Sequence, residues 1–326
     1  MKLPYALSVL LVVLSACGAR NPESTIKKEA AVSPQLPEFD SFWNYDDPAG
    51  TEAKFRELLP QAQAAGDPGY LAELLTQIAR TQGLQQKFAD ANATLDQADA
   101  LIQPDHPEMK TARVRSLLER GRGLNSAKKP EESIRYFKDA LKLAEDAGLE
   151  FYAVDAAHML GIAAKGEESL RWNEEAIRLS EAAKDPRARR WLGPLYNNTG
   201  WTYFDMRRYD DSLKMFQKDL AFRTPSGNKV EIGIARWSAA KVLRYLGRVD
   251  EALKTQMELL ALPELKGGDN EGYTQEEIGE CLTLLGRQAE AVPHFAIAWQ
   301  LLHEDPWLKR DEPKRLDRLK RLGEVK

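Results

Sequence analysis

Apolar positions recur along most of this chain at helical spacing, and the clearest stretch is Leu195 to Leu220. There Tyr196, Tyr203, Tyr209, Phe216 and Leu220 fall on the faces of two amphipathic helices joined by a tight turn, with polar residues between them. Two small residues, Gly200 and Ser212, stand where the helices must approach closely. The same pair recurs along the chain. One series is Ala79, Gly121, Ala157, Gly200, Ala240 and Gly279; the other is Ala91, Ser133, Ser169, Ser212, Ala252 and Ala291. Both keep a stride of about 40 residues, and a repeat of that length marks stacked helix pairs. The pattern therefore predicts an all-α chain, a helix-turn-helix solenoid of about six long repeats, each covering the apolar face of its neighbour.

The flanking residues carry a family likeness. Leu246-Gly247 leads to Ala252 and Leu253, Leu285-Gly286 to Ala291, Phe295 and Ala298, Gly121 to Ser133, Phe137 and Ala140, and Ala79 to Gly83, Phe88, Ala91 and Leu95. Phe137, Phe216 and Phe295 are equally spaced, two repeats apart. These marks resemble the tetratricopeptide repeat, over roughly residues 70 to 306. The unit is longer than the usual ~34 residues of that family, so longer helices are expected. One copy is irregular: Leu160-Gly161 sits about a turn too close to Ser169, which implies a shortened first helix or a shifted alignment. The division expected is a signal peptide over 1–16, a polar tether over 17–50, the solenoid over 51–311 and a capping helix over 312–326. Residues 51 to 65, with Phe55, Leu58 and Leu59, read as one leading helix; Leu316, Leu319 and Leu322 form the apolar stripe of the terminal cap.

Met1-Lys2 is followed by an apolar run from Leu3 to Leu14, too short for the roughly 20 residues a membrane-spanning helix needs, and it reads as a secretion signal. Leu14-Ser15-Ala16-Cys17 resembles the lipobox of bacterial lipoproteins. That resemblance implies cleavage before Cys17, diacylation of its thiol and a membrane anchor without a span; the alternative is an ordinary signal peptide with a chance Cys. Gly18, in place of the Asp that retains enteric lipoproteins in the inner membrane, makes the outer membrane, facing the periplasm, the expected address. Pro22, Pro34, Pro37 and Pro48 punctuate the tether, whose aromatic cluster Phe39, Phe42, Trp43 and Tyr45 either folds back on the first helix or forms a docking motif.

Charge and chemistry narrow the function. A formal net charge of −4 gives no reason to expect nucleic acid, and the Lys/Arg cluster from 309 onward is interleaved with Asp311, Glu312, Asp317 and Glu324 as on a solvated cap. The four His (His106, His158, His294, His303) lack metal-ligand spacing, so no metal or cofactor is expected. Nucleophile-elbow and phosphate-loop motifs are missing, Glu131-Glu132, Glu167-Glu168 and Glu276-Glu277 suit helix starts, and Cys281 reads as a small core residue. The resemblance implies ligands along the concave side of the first helices. Candidates there are Arg80, Arg122, Asn125, His158, Asn197, Trp201, Trp237, Lys241 and Arg244, with Glu276 and Glu280 beyond them. Asn197 would hold a peptide backbone, Trp201 and Trp237 its side chains, and Lys241 with Arg244 a carboxylate; alternatively the two Trp pack between repeats. The expectation is a non-catalytic, lipid-anchored scaffold for envelope proteins, with a periplasmic peptide or small-ligand receptor, and an enzyme with an unrecognised site, as the alternatives.

Overall fold

A computed structural model describes residues 36–103 and 106–325, and every regular element among them is helical. These residues fall into two compact units, meeting in sequence between Lys165 and Gly166. The first unit holds α1 (Pro48–Glu57), α2 (Leu59–Ala65), α3 (Pro68–Leu84), α4 (Phe88–Leu101), α5 (Lys110–Ser126), α6 (Pro130–Asp146) and α7 (Glu150–Ala163). The second holds α8 (Gly166–Ala182), α9 (Pro186–Arg189), α10 (Leu192–Asp205), α11 (Tyr209–Arg223), α12 (Lys229–Tyr245), α13 (Val249–Leu260), α14 (Gly268–Leu284), α15 (Gln288–Leu302), α16 (Pro306–Asp311) and α17 (Pro313–Leu322). Helices α3, α5, α7, α10, α12 and α14 each open a repeat. α7 and α10 have 14 residues where α3, α5, α12 and α14 have 17, so the irregular copy does have a shortened first helix.

The turn inside five of the six pairs is built the same way. Gln86, Lys128, Arg207, Gly247 and Gly286 have positive φ. In the turns after α3, α5, α10, α12 and α14, the N–H of the next residue (Lys87, Lys129, Arg208, Arg248 or Arg287) returns to a carbonyl five residues back, at 2.9 Å in each. This is the Schellman closure, which satisfies carbonyls left over at a helix end. The residue following the left-handed position in those five turns is a cation, suited to the negative helix terminus. Arg208, Arg248 and Arg287 then reach forward to Asp211, Glu251 and Glu290 in the first turn of the next helix.

Packing within a pair is a steric match. A Cβ added to Gly121, Gly200 or Gly279 would meet the ring of Phe137, Phe216 or Phe295 at 2.4, 2.8 or 2.8 Å, each Phe lying sixteen residues beyond its Gly. Where the small residue is Ala79, the same offset holds Leu95, packed against it in one cluster, and Ala240 is followed at that offset by the buried Gln256. Bare backbone thus accepts a ring and a methyl accepts something smaller. The hydroxyl of Ser212 adds a hydrogen bond to the Gly200 carbonyl at 2.8 Å.

Two end elements differ from expectation. The leading helix read over 51–65 is two helices, α1 and α2, because Pro60 cannot donate the hydrogen bond that would carry one helix through Leu58. The stretch 36–50, assigned to the tether, packs instead: Phe39 is buried among Phe55, Tyr70 and Ala62, Trp43 Nε1 donates to Gln77 Oε1 at 2.9 Å, and the Tyr70 hydroxyl donates to the Pro37 carbonyl at 2.9 Å. The aromatic cluster therefore folds back on α1 and α3. At the other end, Leu308 from α16 and Leu316 and Leu319 from α17 close the apolar cluster around Phe295 and Leu302. Among the described residues no helix is long and apolar enough to cross a membrane. Cys17 and the signal region lie outside the described residues.

Candidate functional site

In the first unit the expected binding cations are occupied by neighbouring repeats. Arg80 of α3 pairs with Glu119 of α5 at 3.0 Å; Glu119 also receives Arg122 at 2.5 Å, and Arg122 grips both oxygens of Asp155 on α7 at 2.5 and 2.6 Å. A parallel row joins Glu73 to Arg115 at 3.3 Å and Arg115 to the Tyr152 hydroxyl at 2.7 Å. Arg80 is further covered by the rings of Trp43 and Tyr45, at 5.6 and 5.8 Å. Burial works against the charge of Asp155, but Arg122 and Arg80 hold its pKa below the ordinary value. His158 is buried beside this network, and burial pushes its pKa down to about 4, so the ring is neutral at neutral pH. Asn125 lies in the last turn of α5, where its carbonyl accepts the Lys128 N–H at 3.0 Å.

The second unit repeats the device. Lys241 and Arg244 of α12 both bind Glu277 of α14, at 2.9 Å from Lys241 and at 2.8 and 3.1 Å from Arg244. Glu277 is 2% exposed, and although burial opposes its charge the two cations hold its pKa down to about 2. Glu276 receives Arg315 of α17 at 2.5 Å, and Glu280 pairs with Arg318. The carboxylate expected between Lys241 and Arg244 is therefore the chain's own Glu277. Arg244, read with Lys241 as a carboxylate grip, is engaged by Glu277, and losing it would leave a buried acid uncompensated.

What remains on this face is uncharged. Trp201 of α10, Trp237 of α12 and Tyr273 of α14 follow one another with ring centres 6.1 Å apart at each step. Trp201 also packs edge-on against Phe216 at 4.9 Å, and the Lys241 ammonium lies 5.0 Å from the Trp237 ring. Asn197 is half-buried one turn before Trp201. Its amide Nδ2 makes a long contact of 3.4 Å to Asn198, while its Oδ1 and the Trp237 Nε1 are shielded from solvent without a hydrogen-bond partner. The acids that complete the network, Glu119, Asp155 and Glu277, and the arginine Arg315, were not among the sequence candidates. Their signal is an opposite charge 33 to 39 residues from each cation, one repeat away.

Burial pushes the Cys281 thiol up to about 12, and among the described residues no cluster of three or more His, Cys, Asp or Glu is placed to hold a metal ion.

Residues 195–224, the pair α10–α11 with its interlocked Gly200 and Phe216, match the family described as tetratricopeptide repeat. That pair is thus similar to a tetratricopeptide repeat. Solved structures share the repeat architecture at low sequence identity. RapI in its apo form superposes with a TM-score of 0.68 at 11% identity, over 88% of this chain and 82% of that one. A signal-transduction ATPase with numerous domains from Pyrococcus horikoshii, with a tetratricopeptide repeat sensor, gives 0.63 at 14% identity, over 85% of this chain. This chain spans only 44% of that protein. The quorum sensor NprR of B. thuringiensis gives 0.57 at 13% identity, over 86% of this chain and 80% of that one. NprR in complex with its cognate peptide NprX gives 0.51 at 15%, over 92% and 87%. No curated protein matches the sequence significantly.

Proposed function

We propose that this chain is a non-catalytic repeat scaffold that takes a protein or peptide partner on the exposed faces of its first helices, held at a bacterial membrane by a lipid on Cys17. The observation that carries the binding half is the uncharged aromatic and amide row of α10 and α12, where the half-buried Trp201 and Trp237 rings follow one another and Asn197 stands one turn before them. NprR, a repeat protein of similar fold, is known with its cognate peptide. The anchoring half rests on Leu14-Ser15-Ala16-Cys17 behind an apolar run; several acyl chains at about 0.8 kcal/mol per buried methylene make such an anchor effectively permanent. The address proposed is the outer membrane, facing the periplasm.

A photo-crosslinking residue placed at Asn197 of the full-length chain in intact cells tests the binding half, with the same residue at the exposed Lys254 of α13 as the comparison. A discrete adduct from position 197 alone is the expected result. Equal labelling from both positions, or none from 197, overturns it. Membrane fractionation of Cys17→Ser tests the anchor: release of the variant into the soluble fraction is expected, and retention refutes lipidation at Cys17.

A further inference from the structure

A cleft of about 510 Å³ lies in the first unit between α1–α2 and α4, with α3 as its floor, and each of the three gives it one stripe of side chains at helical spacing. Because α3 runs antiparallel to its neighbours, the polar ends of the stripes meet. The Thr94 hydroxyl and the Gln82 amide are bonded at 2.9 Å, and Glu52 receives Arg56 at 2.7 and 2.9 Å and Gln85 at 2.8 Å. At the other end the stripes close on Leu59, Leu71, Leu75 and Leu101. Leu59, Leu71 and Leu101 are only half-buried, and none of the described residues lining the cleft is aromatic. On α3, Leu71 and Leu75 stand about half a turn round from Glu73, Gln77 and Arg80, so the cleft opens on the opposite side of that helix from the inner charge row.

The charges at the polar end cancel. Arg56 and Lys87 are offset by Glu52 and Asp90, with Glu52 2.7 Å from Arg56 and 4.0 Å from Lys87. A charged ligand group would lose hydration there and meet no net opposite charge, whereas a hydroxyl or amide can share hydrogen bonds with either sign. The apolar end is aliphatic throughout, and the volume is that of a small-molecule pocket. Asp90 and Leu101 are eleven residues apart on α4, about 16 Å along its axis, enough for an extended decyl chain and its head. From this we propose that the cleft binds an uncharged single-chain amphiphile, with an alkyl or acyl chain on the four leucines and a hydroxyl or amide head beside Arg56, Lys87 and Asp90. This site is independent of the one around Trp201 and Trp237.

The test titrates 1-hexanol, 1-octanol and 1-decanol into the full chain carrying Cys17→Ser, which has no acyl group of its own to compete, and reads affinity by calorimetry. Saturable binding of one alcohol per chain is expected, tightening about 4-fold for each added methylene. Decanoate and decylammonium should each bind at least about 10-fold more weakly than decanol. Ala93 lines the cleft from an exposed position on α4, so Ala93→Trp should fill it and weaken decanol by about 10-fold or more, while Ala100→Trp, exposed on the same helix outside the cleft, should leave the affinity unchanged. If Ala93→Trp alters the circular dichroism, Gln97→Trp decides in its place. Absence of saturable binding, an affinity that ignores chain length, or equal effects of the two tryptophan variants overturns the proposal. Tighter binding of decanoate or decylammonium than of decanol overturns it as well.

Discussion

The fit of Gly200 against Phe216 can be tested as a closed cycle. A Cβ at position 200 would lie 2.8, 2.9 and 3.1 Å from Cε1, Cζ and Cδ1 of Phe216. Carbon pairs rest at about 3.5–4.0 Å, so the ring would have to retreat by nearly an ångström. It cannot do so freely, because Trp201 stands edge-on to it at 4.9 Å. Overpacking of this kind costs about 1–3 kcal/mol, while replacing Gly by Ala inside a helix returns roughly 0.5–1 kcal/mol. Gly200→Ala should therefore destabilise by about 1–2 kcal/mol. Phe216→Leu alone leaves a partly filled gap at a cost of about 1–2 kcal/mol. The double variant rebuilds the pairing that Ala79 and Leu95 already make in the first unit, so the clash vanishes and the helix gain remains. Its net loss should be no more than about 1 kcal/mol, against about 2–4 if the two effects simply added, a coupling within the range measured for touching residues. Urea unfolding of all four proteins, followed by far-ultraviolet circular dichroism and by tryptophan fluorescence, measures this. A double variant that falls at the sum of the single losses would refute the steric account.

Three further outcomes follow from the same structure. Lys128→Gly and Arg207→Gly, at φ of 64° and 60°, should each stabilise by up to about 1 kcal/mol because the left-handed conformation strains a side chain, and Gly247→Ala at 78° should cost a similar amount; thermal melts read all three. Its neighbouring cations hold the pKa of Glu277 at about 2, below the ordinary glutamate value of 4.5, so its contribution is present above pH 4.5 and is lost as pH falls toward 2. Glu277→Gln should lower stability at neutral pH by about 3 kcal/mol and remove that acid-dependent limb from a stability–pH curve; an unchanged curve would count against the buried pair. Asp219 has the opposite sign: burial raises its pKa to about 6, so the native state is penalised as pH rises from about 4 to 6. Asp219→Asn should accordingly gain stability above pH 6 relative to pH 4, and a loss at both pH values would show that the ionised carboxylate is needed by Arg223, 2.6 Å away.

The repeat was readable because its signals are local. Small residues at a fixed stride and Phe137, Phe216 and Phe295 at equal intervals depend only on positions within a helix pair. The left-handed turns were half visible: Gly247 and Gly286 announce themselves, whereas Gln86, Lys128 and Arg207 adopt the same conformation with ordinary side chains and are known only from their backbone. The fold-back of Phe39 and Trp43 was one of two open readings, and Pro60 marked a break that helical periodicity through Phe55, Leu58 and Leu59 concealed. The site was legible in part. Trp201, Trp237 and Asn197 do share a region, but Lys241 and Arg244 were read without Glu277 because their partner lies one whole repeat away. A charge can be assigned to solvent, ligand or neighbour only once the stacking register between first helices is known.

That register is what the buried charges specify. Apolar stacking of one first helix on the next is non-directional, and a slip by a turn would bury comparable area. Arg122 bound to both oxygens of Asp155, and Glu277 held by Lys241 and Arg244, would each be broken by such a slip and leave charge unpaired in a shielded place. The pairs thus fix which turn of α5 meets which turn of α7, and likewise for α12 on α14, even if each adds little net stability. Between α10 and α12 no ion pair sets the register; ring contacts of Trp201 and Trp237 do so, with a broader range of acceptable geometries.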